Sequence, residues 1–242
     1  MLVSPVPGCL GLPGRSPLAG LLERLTAAVD LLCPQACFRC GVGLGSDSAL
    51  CPACCGAIVA PPATFPTGLD GCAAGAVYSG EVEAWVRAFK YPAASAFPDP
   101  GPEAILVELI LRAARNWPGP LPDRIVPIPL HRRRLRSRGF NPAGRLGRLL
   151  ARRLAVEFDP VALERTRDTP SQTGLDARAR RRNLAGAFRL ARRAPPPPRI
   201  WLVDDVVTTG ATLSAAARPL RAAGAREIVA ICAAATPRPR RR

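Results

Sequence analysis

The sequence predicts an α/β fold, a parallel sheet flanked by helices, with a small cysteine-rich module ahead of it. Three observations predict it. Apolar residues make up 48% of 242 positions, enough for one sizeable core plus an appendage. From residue 73 onward, short apolar runs alternate with segments of helical periodicity, the pattern of strands joined by crossover helices. Six of the nine cysteines fall between Cys33 and Cys55.

The elements follow in order. Residues 1–17, rich in proline and glycine, read as a loose extension. Leu18, Leu21, Leu22, Leu25, Val29 and Leu32 recur at the spacing of one helical face. The cysteine module follows, and Pro61, Pro62, Pro66, Gly68 and Gly71 mark a connecting segment. Residues 73–78 form a strand candidate and 81–89 a short helix. Ile105, Leu106, Leu109, Ile110 and Ala113 define a second helix, and 125–128 a short strand. Asn141 with Pro142 behind it starts another helix, striped by Leu146, Leu149, Leu150 and Leu154. The arginine-rich stretch 165–183 has no period and reads as a long loop. Residues 200–203 form a continuous apolar run suited to a buried parallel strand. A helix over 211–223 ends at Gly224, although Pro219 inside it should cost about 3 kcal/mol or kink it. Residues 228–233 form a last strand. The expected divisions are an extension and helix over 1–30, the cysteine module over 31–60, the α/β domain over 73–236 and a basic tail over 237–242.

Charge narrows the partners. Thirty-four basic residues against 18 acidic ones give +16, and all but one of the basic residues are arginine. Such a surface favours phosphate-bearing partners, although a solvated basic face explains much of the excess. No run reaches the ~18 apolar residues of a membrane helix, and the start lacks the pattern of a signal peptide. The expectation is a cytoplasmic protein without a membrane span.

Clustered cysteines in such a protein point to metal rather than disulfides. Cys37-Phe-Arg-Cys40 and Cys51-Pro-Ala-Cys54 are two C-x2-C knuckles, the arrangement that offers four thiolates to tetrahedral zinc. So small a module would draw its folding energy from the metal, and four thiolates leave no open coordination position for catalysis. Cys33 and Cys55 are either spare thiols or substitutes for one ligand, and the isolated Cys72 argues against a second metal.

The densest chemistry lies in Ile200-Trp-Leu-Val-Asp-Asp-Val-Val-Thr-Thr-Gly-Ala-Thr212. A buried strand delivers Asp204 and Asp205 toward its carboxyl end, where open α/β sheets bind ligands. Val207, Thr208, Thr209, Gly210, Ala211 and Thr212 then turn into a helix, offering backbone N–H groups and hydroxyls to an anion. The pocket suits a phosphate monoester, and the carboxylates suit the vicinal hydroxyls of a ribose, directly or through magnesium. Upstream, His131 and the arginines Arg132, Arg133 and Arg138 follow a strand, a sensible place for a pyrophosphate group. His131 reads more readily as a hydrogen-bonding residue that positions its loop. Lys90, the single lysine, hints that a compact ammonium is wanted there.

The 200–212 stretch resembles the phosphoribosyl-pyrophosphate motif of type I phosphoribosyltransferases. That resemblance implies that Asp204 and Asp205 hold the ribose hydroxyls and that residues 207–212 hold the 5-phosphate. Pro-Leu-His-x-x-Arg-Leu-x-x-Arg-Gly-Phe-Asn141, Gln172-Thr-Gly-Leu and Arg181-Arg-Asn-Leu, with the cysteine module and Phe89-Lys-Tyr91, resemble the ComF family across about residues 31–236. This implies a zinc ribbon (Cys37, Cys40, Cys51, Cys54) joined to a phosphoribosyltransferase-type domain, and a link to DNA uptake in competence. Two functions stay open. One is transfer of a phosphoribosyl group from phosphoribosyl pyrophosphate to an unknown acceptor. The other is a non-catalytic module that senses a nucleotide or binds single-stranded DNA or DNA-uptake proteins.

Overall fold

The computed structural model describes residues 36–44, 48–62, 66–92, 101–168, 184–191 and 195–237. The helix expected over 18–32, Cys33, the centre of the arginine-rich loop and the end of the basic tail lie outside these residues. The described elements run α1 (Pro52–Ala57), β1 (Gly71–Val77), α2 (Gly80–Lys90), α3 (Gly101–Arg115), β2 (Arg124–Pro127), α4 (Arg132–Arg138), α5 (Pro142–Leu154), β3 (Glu157–Phe158), β4 (Leu163–Arg165), β5 (Phe188–Leu190), β6 (Arg199–Val207), α6 (Ala211–Ala222) and β7 (Glu227–Ala235).

Five strands form one sheet in the order β1-β7-β6-β2-β3, every pair parallel. Alternation along the strands sends side chains to two separate cores. On one face Ile125, Trp201, Val203, Val229 and Ile231 meet Ile105, Leu106, Leu109 and Ile110 of α3 and Leu146 and Leu150 of α5. On the other, Val126, Ile200, Leu202, Ile228 and Ala230 meet Leu213, Ala216, Ala217 and Leu220 of α6. Contact between α3 and β1 is close enough to require glycine. A Cβ added at Gly75 would lie 1.9 Å from the Leu109 carbonyl oxygen.

The central strand β6 is longer than its apolar run suggests. Pairing with β7 continues to Val207 opposite Ala235, so Asp204 and Asp205 sit within the strand rather than beyond it. The neighbouring strands β6 and β2 diverge. The chain leaves β6 through α6 on one face toward β7, and leaves β2 through α5 on the other face toward β3. Their carboxyl ends therefore frame a topological switch point, where such sheets place their crevice. The β4–β5 pair, antiparallel with Arg165 opposite Phe188, stands apart from the main sheet and brackets the arginine-rich segment.

Two features differ from the sequence expectation, and a third, the helix through Pro219, matches it. The arginine run 132–138 is a helix, closed by Gly139 at φ +82°. Asn141 occupies the N-cap position of α5 without a side-chain cap; its Nδ2 instead donates to the Ile128 carbonyl at 3.0 Å, closing the 128–141 loop on itself. Helix α6 runs through Pro219 to Ala222, and nothing in the structure explains that proline.

The cysteine module packs on the same core as α2 and α3, with Cys37, Leu50, Cys51 and Ile58 all buried. Arg112 of α3 donates to the carbonyls of Cys55 at 3.1 Å and Ile58 at 2.8 Å, satisfying the end of α1. Arg39 pairs with Glu81 at 3.1 Å, and the Phe38 ring lies so close to Gly101 that a Cβ there would fall 2.0 Å from it.

Candidate phosphoribosyl cleft and cysteine centre

Residues from six elements and their loops meet at the switch point around a cleft of about 560 Å³. Its acidic floor is Asp204 and Asp205 of β6; Thr208 and Thr212 flank the following bend; Arg134, Arg138 and Arg165 supply positive charge; and Lys90 comes from the end of α2.

Local chain geometry holds each group. Asp204 Oδ1 accepts from the Asp205 N–H at 3.0 Å, and Asp205 Oδ1 accepts from the Val206 N–H at 2.9 Å. Asp205, 6% exposed, meets the Lys90 ammonium at 2.5 Å through Oδ2. Burial works against the charge on Lys90, but the Asp205 carboxylate, its hydrogen bond and Asp204 behind it together raise the lysine pKa. Burial first, and the like charge of Asp205 second, push the Asp204 carboxyl well above the usual range.

The bend turns on Gly210, whose φ of +75° is left-handed. Thr209 Oγ1 accepts from the Ala211 N–H at 3.4 Å, and the Ser214 N–H donates to the Gly210 carbonyl at 2.8 Å to start α6. Pro66 leans on this bend: a Cβ at Gly210 would lie 2.4 Å from the proline ring. Thr208 is exposed. The six motif residues divide. Thr208 and Thr212 line the cleft, Thr209 and Ala211 line a neighbouring hollow with Arg218, Gly210 is buried against Pro66, and the Val207 side chain is core.

The residues singled out for pyrophosphate divide as well. Arg138 lines the cleft, donates to the Tyr91 hydroxyl at 2.8 Å and stacks on that ring. His131 caps α4, its Nδ1 accepting from the Arg133 N–H at 3.4 Å. Arg132 and Arg133, with side chains 78% and 85% exposed, turn outward toward Glu164 and Asp168. Arg134, from the same run, lines the cleft while its Nε lies 3.7 Å from Asp168 Oδ1.

Arg165 was not singled out by sequence, although the structure places it in the cleft wall at 7% exposure. Burial, then the like charge of Arg134, lowers its pKa, while Asp204 and Asp168 act the other way. A faint signal existed: Leu163, Glu164 and Arg165 alternate in the strand manner and turn an arginine inward with the leucine.

Cys37, Cys40, Cys51 and Cys54 bring their sulfurs within 4.8 Å of one another, with Cys40 and Cys51 3.8 Å apart. Tetrahedral zinc with bonds of about 2.3 Å would hold sulfurs about 3.8 Å apart, so the donor set fits zinc. The Cys51 N–H donates to Cys37 Sγ at 3.3 Å, and this bond leads the causes that lower the Cys37 thiol to about 6 against the opposing effect of burial. Sulfur–sulfur hydrogen bonding, first with Cys51, pushes Cys54 up to about 12. Cys55 is outside the cluster and contributes its carbonyl to Arg112. Cys72 is buried in β1, near enough to Cys232 of β7 that their hydrogen bond is the first cause raising the Cys232 thiol. Among the described residues the four clustered cysteines are the only group of three or more metal-ligand side chains this close together. The acidic pair fits a divalent ion less well, because the Lys90 ammonium already lies against Asp205 Oδ2.

No family model matches the chain. Curated relatives do. DNA utilization protein YhgH of Escherichia coli K12 is 34% identical over 207 residues, covering 81% of this chain and 88% of that protein, and its counterpart in Escherichia coli O157:H7 gives the same figures. Competence protein F of Haemophilus influenzae is 41% identical over 128 residues, 52% of this chain and 56% of that protein.

Proposed function

We propose, for a chain that belongs to the ComF family, that the cleft binds the ribose 5-phosphate portion of phosphoribosyl pyrophosphate or of a nucleotide. The observation that carries this reading is the shared cleft of Asp204, Asp205, Thr208 and Thr212 at the β6/β2 switch point, faced by three arginines. Carboxylates are poor partners for phosphate and good ones for sugar hydroxyls, while the bend and the start of α6 favour an anion. A ligand must therefore present a phosphate at one end and vicinal hydroxyls beside it. The arginines suit further negative charge on the far side of the sugar.

With phosphoribosyl pyrophosphate bound this way, the carboxylates face the ring whose C1 gains positive character as pyrophosphate leaves. Arg134, Arg138 and Arg165 would offset charge on the departing group. None of the described side chains is placed as an obvious base for an incoming nucleophile, so the acceptor is left open. The cysteine centre holds zinc as a structural element in this reading.

Isothermal calorimetry with ribose 5-phosphate and with phosphoribosyl pyrophosphate tests the proposal. Both should bind to the purified protein, and the Asp205→Asn variant should lose binding while melting at a similar temperature. Unchanged affinity in that variant would falsify the assignment. Pyrophosphate release in the presence of candidate acceptors separates a transferase from a sensor.

A second reading draws on the +16 charge and on the relatives' names, which speak of DNA utilization and competence. Here the exposed arginines of α4 contact single-stranded DNA as an accessory role. Such binding would weaken steeply with salt and survive loss of Asp204 and Asp205.

A further inference from the structure

The least expected residue in the cleft is Lys90. The chain has 34 basic side chains and only one is lysine. That lysine ends α2, is largely withdrawn from water, and sets its ammonium 2.5 Å from Asp205 Oδ2, one of the two carboxylates at the floor. An arginine there would present a broad planar fork, whereas lysine offers a compact charge that can press on one oxygen.

Anchoring around Lys90 fixes the charge in place. Phe89, the residue before it, meets the Phe140 ring edge-on with centroids 5.6 Å apart, and the Arg145 guanidinium lies over both rings. Tyr91, the residue after it, accepts from Arg138 at 2.8 Å. The end of α2 is thus clamped to the α4–α5 loop on both sides of Lys90. The ammonium is held against Asp205 Oδ2.

Two adjacent carboxylates beside a phosphate pocket present an electrostatic problem, because both repel the ligand's anionic groups. A divalent cation is one remedy; a fixed ammonium is another. We propose that Lys90 takes the place of a divalent cation in this cleft, neutralising Asp205 so that a phosphorylated sugar binds without magnesium. The idea rests on the phosphoribosyl reading above and refines it.

The test is calorimetric titration of ribose 5-phosphate into wild-type protein, Lys90→Gln and Lys90→Arg, each in magnesium-free buffer and again with magnesium chloride. No chelator is added, since it would strip the cysteine centre, and melting temperature and zinc content check that each variant is folded. Wild type should bind with affinities within about two-fold in the two buffers, one small electrostatic difference. Lys90→Gln should weaken at least about ten-fold without magnesium, as expected when a buried charge loses its partner, and recover when magnesium is supplied. Lys90→Arg should fall between the two. Wild-type binding that requires magnesium overturns the proposal, as does a Lys90→Gln variant that binds like wild type in magnesium-free buffer. If wild type binds in neither buffer, the phosphoribosyl reading fails, and the role of Lys90 fails with it.

Discussion

The bend after β6 and the arginine run after β2 both offer positive groups to the cleft, but they do so by different means. In the bend, backbone geometry does the work. A strand ends, Gly210 turns through a left-handed conformation and a helix begins, so successive residues have little choice of direction. In the run, the residues form a helix, and the helical period decides which arginines face the cleft. Arg134 and Arg138, four apart, face inward; Arg132 and Arg133 do not. A motif written in backbone turns can be read residue by residue. A motif written in charge must first be assigned a face.

Five substitutions break or sharpen this contrast. The largest effect belongs to the floor: Asp205→Asn should weaken ribose 5-phosphate binding by roughly a hundred-fold, in the range for truncating one partner of a buried charge pair. Calorimetry measures it, and a loss below about three-fold would place the ligand elsewhere. Next comes the run itself. Arg134→Gln should lower phosphoribosyl pyrophosphate affinity by about ten-fold and Arg133→Gln by less than two-fold, a ratio that direct titration of both variants gives. Equal losses would mean that general surface charge, rather than helix face, governs binding.

Stability supplies the third comparison. Asp204 has a raised pKa in the folded chain, so its ionisation opposes folding: stability is full below the unfolded value, about 4, and falls as pH rises. Asp204→Asn should therefore raise the melting temperature at neutral pH, by an amount that shrinks as pH drops toward that value. A gain that persists undiminished at low pH would locate its cause outside the carboxyl charge. The smallest effect on the cleft, though a large one on its neighbour, is expected from Cys51→Ser. Zinc content should fall and the melting temperature with it, and zinc removal from wild type should reproduce the change.

Much of the fold was legible because apolar periodicity is set by burial. The strands over 71–77, 124–127 and 227–235, and the helices over 80–90, 101–115 and 142–154, lie within a few residues of their expected places. Strand β6 ran longer than its apolar stretch because β7 continues to pair with it past the acids, and hydropathy does not register pairing. The two-residue β3 and the β4–β5 pair escaped notice because they are too short for any period to develop. At the site, the acids and threonines were visible as a pattern in sequence. Arg165 had only the faint alternation of Leu163, Glu164 and Arg165 to mark it, and its burial depends on an antiparallel partner more than twenty residues away.

The Arg112 clip carries a practical consequence. Its guanidinium closes the carbonyl end of α1 while its own helix builds the main core, and the Phe38 ring rests directly on the first turn of that helix. Severing the chain after residue 60 would therefore leave a wound rather than a clean surface: a half-buried cation stripped of its two acceptors, beside a bare apolar footprint. Each half lends the other part of its interior, so they should be made, purified and denatured as one body.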